Sequence, residues 1–136
     1  MKTEKVSVNL SPVELGQIDY LVERGLYDSR SDFMRTAARK ALESHESSIR
    51  EFFDAKPYEK EGAYHTFSFG IRSITKKEIE HAIKIGSKMQ IHAIGMLTIP
   101  NSITSEDIKQ GVRSLKLYGK LIASKEVKEA LSELEE

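Results

Sequence analysis

The chain of 136 residues contains no cysteine and no tryptophan. Without thiols it has no disulfide framework, and no thiolate to bind a metal or attack a substrate. No apolar run approaches the roughly 18 residues that suggest a membrane span. Met1-Lys2-Thr3-Glu4-Lys5 leads into alternating residues rather than the apolar core of a secretory leader. An excess of either charge is also missing, because 21 basic side chains balance 21 acidic ones. A histone-like basic coat and an acidic tail protein are therefore excluded. Charged residues make up 31% and hydrophobic ones 39%, which is too apolar for a disordered polyelectrolyte. A folded cytoplasmic protein is expected, with room for one ordinary domain or two small ones.

Charge and periodicity divide what is present into two modules. Residues 1–48 carry 7 basic and 8 acidic groups, and residues 63–136 carry 11 and 9. Between them, Asp54-Ala55-Lys56-Pro57-Tyr58-Glu59-Lys60-Glu61-Gly62 is charged, holds a proline and a glycine, and lacks an apolar period. This stretch reads as a linker. The expected organisation is residues 1–48 as one domain, 49–62 as helix extension and linker, and 63–136 as a second domain.

In the first module Val6, Val8 and Leu10 alternate with Lys5, Ser7 and Asn9, the period of a strand with one buried face. The runs that follow are helical, so this strand has no neighbour in its own chain. Pairing with the same strand of a second chain would satisfy its edges. Ser11-Pro12-Val13-Glu14 carries a helix cap, a first-position proline and a capping box. Leu15, Ile18, Leu21 and Val22 then recur at helical spacing up to a stop at Gly25. A second start stands at Ser29-Arg30-Ser31-Asp32, followed by Phe33, Met34, Ala37, Ala38, Ala41 and Leu42. The period continues through Ile49, Phe52 and Phe53, which predicts a helix running nearly to the linker. Forty-five residues of strand, helix, turn and helix cannot enclose a core alone, whereas an intertwined dimer can.

Residues 4–46 resemble the ribbon-helix-helix repressors of the Arc, MetJ and CopG type. The resemblance is carried by Lys5-Val6-Ser7-Val8-Asn9-Leu10, by Ser11-Pro12 opening the first helix, by Gly25-Leu26-Tyr27 in the turn, and by Ser29-Arg30-Ser31-Asp32-Phe33-Met34-Arg35 opening the second. It implies a homodimer whose two-stranded antiparallel ribbon enters the major groove of double-stranded DNA. On the matching positions, Lys5, Ser7 and Asn9 would read base edges, for which lysine, serine and asparagine are chemically suited. Ser29, Arg30 and Ser31 would hold a phosphate at the start of the second helix. Glu4, Asp28 and Asp32 depart from the basic footprint usual in DNA binders, so binding is expected to be strongly salt-dependent and shared among several dimers.

The second module shows a periodicity of its own. Gly70, Gly95 and Gly119 lie 25 and 24 residues apart, each inside an apolar, strand-like run. A cap and a helical pattern follow each run: Thr75 with Glu78, Thr104 with Asp107, and Ser124 with Val127. Three tandem strand–helix repeats pairing in parallel are predicted, as a short solenoid or a small open sheet with helices on one face. The fold class is therefore α+β. An uncovered edge or face would serve self-association, giving a tetramer or larger assembly, or the module would sense an effector.

Catalytic signatures are absent. There is no phosphate loop, no Gly-x-Ser-x-Gly elbow and no His-Glu-x-x-His, so neither an enzyme nor a cofactor is expected. His45, His65, His81 and His92 include no pair at i, i+2 or i, i+4; only His65 and His92 could meet, across neighbouring strands, and no metal site is expected. The leading expectation is a dimeric DNA-binding transcriptional regulator, most simply a repressor. Its rivals are an antitoxin whose tail binds a toxin, and a scaffold whose second module binds another protein.

Overall fold

A computed structural model describes residues 3–54 and 64–134. The chain forms two compact units, Met1–Ala55 and Lys56–Glu136. Apart from Asp54, the stretch read as a linker lies outside the described residues.

In the first unit the expected caps form. Helix α1 spans Pro12–Glu23, with the Ser11 hydroxyl accepting from the Glu14 amide and the Glu14 carboxylate accepting from the Ser11 amide. It ends at Gly25, whose φ of 79° no other residue type adopts cheaply. The Leu26 amide donates to Leu21 and the Gly25 amide to Val22, the paired bonds of a glycine-terminated helix. Helix α2 spans Arg30–Ser44 and is capped by Ser29. Here the box is altered, because the Asp32 carboxylate accepts from the Asp28 amide rather than from Ser29.

The long second helix expected from the apolar period is interrupted. Helix α3, Glu46–Asp54, begins after a break at His45, whose backbone leaves the helical region. The Ser44 hydroxyl donates to the Ala41 carbonyl at 2.6 Å. Such back-bonding competes with the helical ladder and favours a stop. Periodicity reports which face is apolar, and it is blind to a local competitor of this kind.

Residues 3–10 form no strand within the single chain. Val6 and Val8, the intended buried face, are 81% and 57% exposed. Among the described residues of this unit Ile18 alone is buried. A single copy of this unit is therefore a pair of capped helices with its apolar side open.

The second unit encloses its own core. Strands β1 (Tyr64–Ser73), β2 (Met89–Thr98) and β3 (Val112–Ile122) form a parallel sheet in the order β1-β2-β3. Helices α4 (Lys76–Ile85), α5 (Ser105–Gly111) and α6 (Lys125–Ser132) each follow one strand. Reciprocal capping boxes open α4 and α5, and the Ser124 hydroxyl caps α6. The Arg72 guanidinium reaches Glu78 at 2.7 Å. Burial raises the Glu78 pKa, but hydrogen bonds from the Thr75 amide, Arg72 and the Thr75 hydroxyl outweigh it and leave the carboxyl below its ordinary range.

Inward-facing Met89, Ile91 and Leu97 of β2 pack with Ile79 and Ala82 of α4, Ile108 of α5, and Val127, Ala130 and Leu131 of α6. All three helices therefore cover one face. The opposite face presents Phe67, Phe69 and Ile71 of β1, Ile94 and Met96 of β2, and Lys116, Tyr118 and Lys120 of β3, by the alternation of a strand.

The spaced glycines fall into one row across the sheet, Gly70 beside Gly95 beside Gly119. Their φ angles are 101°, 126° and 131°, which lie outside the range of residues with a Cβ. A Cβ built on Gly95 would overlap the Gly70 carbonyl oxygen, and one on Gly119 would overlap that of Gly95. The repeated glycine thus records one backbone conformation adopted at the same level in three strands.

Candidate nucleic-acid interface

The six residues singled out for DNA contact fall in two places within the first unit. Lys5, Ser7 and Asn9 are exposed on the segment that precedes α1. Ser29 caps α2, and Arg30 and Ser31 are its first two residues. The amides of a first helical turn have no acceptor within their own helix, and the helix dipole makes that end partially positive. Arg30 and Ser31 therefore stand at the partially positive end of α2, while the Ser29 hydroxyl accepts from the Asp32 amide at 3.0 Å.

Arg30 carries a contact that spacing did not reveal. Its guanidinium grips Asp19 of α1 through two bonds, Nε to Oδ1 at 2.7 Å and Nη2 to Oδ2 at 2.8 Å. The hydrogen bond from Arg30 lowers the Asp19 pKa, and the bond to Asp19 raises that of Arg30. The pair is exposed and adds little stability. Its effect is electrostatic and local, since the carboxylate offsets the one cation at the helix start. Eleven residues separate the partners, so no local pattern could have found them.

A groove of about 900 Å³ lies between α1 and α2, lined by Leu10, Val13, Ile18, Leu21, Phe33, Met34 and Ala37 among others. Tyr27 closes one side of Phe33, their rings meeting edge to face at 4.9 Å between centroids. Leu10 belongs to the alternating run, Ile18 and Leu21 to the stripe of the first helix, and Phe33, Met34 and Ala37 to that of the second. In the single chain they face a cavity rather than a core.

The histidines do not assemble. His65 and His92 lie on adjacent strands and on the same face, but two residues out of register. Phe67 stands opposite His92, with ring centroids 5.3 Å apart. Burial, followed by the nearby His65 and Lys116, lowers the His92 pKa. Among the described residues no group of three or more histidine, aspartate or glutamate side chains comes together.

A capped helix pair that follows an exposed alternating segment, with a separate unit of three strands and three helices later in the chain, defines a two-unit α+β protein. The chain belongs to the ribbon-helix-helix transcriptional regulator family, whose model matches residues 1–128. The match extends well past residues 4–46, through the three strands of the second unit. Members of this family bind DNA and are typically dimeric, and the family is one of regulators rather than enzymes. No curated protein and no solved structure matches the chain. Among the described residues no helix is long and apolar enough to cross a membrane.

Proposed function

We propose that the protein is a sequence-specific DNA-binding repressor, acting in the cytoplasm as a dimer that associates further through its second unit. Residues 5–10 of two chains pair as an antiparallel ribbon, and Lys5, Ser7 and Asn9 read base edges in the major groove. The first turns of the two α2 helices, at Ser29, Arg30 and Ser31, hold flanking phosphates. Residues 1–48 are the DNA-binding domain, 49–62 the extension and linker, and 63–136 a repeat domain for assembly.

The observation that carries this reading is the segment at residues 3–10, exposed through Asn9 and forming no strand within the single chain, in a chain of this family. Val6 and Val8 lie in water and Leu10 lines an open apolar groove, and pairing with a second chain would cover them. A tail that folds only on a toxin is disfavoured by the second unit, which buries thirteen hydrophobic residues in one cluster of its own.

Replacing Lys5, Ser7 and Asn9 together with alanine tests the reading. Specific operator binding, measured by fluorescence anisotropy, should be lost while sedimentation still shows a dimer. Unchanged operator affinity would overturn the assignment.

A further inference from the structure

We propose that the open sheet face of the second unit packs against the same face of a second copy, about a two-fold axis parallel to the strands. This rests on the reading of residues 63–136 as an assembly domain, and names its surface and geometry.

The first argument is exposure. Phe69 and Ile71 of β1 are 71% and 62% exposed, and Tyr118 of β3, on the other side of β2, is 54% exposed. A contiguous apolar face of this kind marks an interaction surface. The second is the distribution of charge. No outward position of the three strands is aspartate or glutamate, and the only lysines, Lys116 and Lys120, stand together on β3. The aromatic and aliphatic side chains Phe67, Phe69 and Ile71 stand together on β1.

A two-fold axis parallel to the strands lays β1 of one copy over β3 of the other and preserves level. By the register Phe67–His92–Lys116, Phe69–Ile94–Tyr118 and Ile71–Met96–Lys120, Lys116 then meets a phenylalanine ring and Tyr118 meets Phe69. The Lys120 stem covers Ile71, and Ile94 meets its own counterpart. Lysine over an aromatic face and aromatic on aromatic are both favourable. The other two-fold, perpendicular to the strands, stacks β3 on β3 and brings the lysines against one another. Charge therefore selects one arrangement.

Area supplies the third argument. Strands of ten, ten and eleven residues offer about 450 Å² per face, from strand spacing and rise. Two such faces bury about 900 Å², short of the roughly 1,200 Å² of a stable interface and in the range of weak contacts. A dimer formed by the first units carries two such faces, so two dimers meet through two contacts, and the second forms at the raised effective concentration that a contact of this size needs.

The natural chain has no cysteine, so introduced thiols report without background. In the full-length protein, a bifunctional maleimide spanning about 10 Å, the spacing of packed sheets, should convert most of the Ile94→Cys chain into a covalently linked pair. In an equimolar mixture of Phe69→Cys and Tyr118→Cys chains refolded together, mass spectrometry should find position 69 joined to position 118. Each chain then carries a single thiol, so every link joins two copies. Circular dichroism and thermal melts matching the parent confirm that each variant is folded.

Links of 69 to 69 and 118 to 118 would overturn the geometry, with the assembly reading intact if sedimentation shows species above a dimer. Absence of links in a protein that sediments as a dimer would overturn both, and would leave the DNA reading standing. Protection of the thiol at position 94 from maleimide by a single-stranded oligonucleotide, without links, would make the face a nucleic-acid surface and end the proposal.

Discussion

Gly95 shows how much one residue can decide. Its φ is positive, and its missing Cβ is the space occupied by the Gly70 carbonyl oxygen on the next strand. Gly70 shares the positive φ, but nothing lies within 4 Å of where its Cβ would be. Gly70→Ala should therefore cost only backbone strain, about 1–3 kcal/mol. Gly95→Ala should cost that and the displacement of a backbone strand as well. Urea denaturation of the two variants checks the order; equal losses would mean that the sheet shifts freely at this level.

The helices owe their limits to caps rather than to propensity. Ser11, Ser29, Thr75, Thr104 and Ser124 each accept from an amide three residues on, and a lost cap of this type costs about 1 kcal/mol. Between α1 and α2 the notable tie is Asp19 to Arg30. It pairs the cation at the start of α2 with a carboxylate and so offsets its charge. Asp19→Asn removes that carboxylate charge and should tighten DNA binding, with a steeper dependence of log affinity on log salt, since an added phosphate contact releases about one more counterion. Titration across a salt series measures it. Weaker binding would show that the tie positions Arg30 rather than restrains it.

At the scale of the molecule the two units differ in what completes them. The second buries a cluster drawn from β2, β3 and all three of its helices, whereas the described first unit buries Ile18 alone. A unit that acquires its core from a second chain is stabilised by mass action. Its melting should therefore move upward with concentration, by about 1.4 kcal/mol of apparent stability for each tenfold increase. Calorimetry over a hundredfold range, with the transitions of the two units resolved, checks this. A first-unit transition independent of concentration would mean that one chain folds this unit unaided.

Much of this was legible from short-range pattern. The caps at Ser11 and Thr75, the stop at Gly25 and the strands around the three glycines depend on residues within a few positions of one another, which spacing reveals. The candidate DNA residues came from local pattern too, and the structure places Ser29, Arg30 and Ser31 at a helix start but forms no strand at Lys5, Ser7 and Asn9. The break at His45 was not, since it turns on a competing hydrogen bond inside a continuous apolar period. Nor was the Asp19–Arg30 pair, which joins two helices across a turn.

The sequence by itself determined the division into an apolar-striped helical head and a strand–helix second half, since periodicity and capping are properties of neighbours along the chain. Only the tertiary structure decided which glycines stand side by side, that all three helices cover one face, and that the other face sorts its lysines to one strand and its phenylalanines to another. Register is a relation between residues some twenty-five positions apart, and it is set when the strands pair.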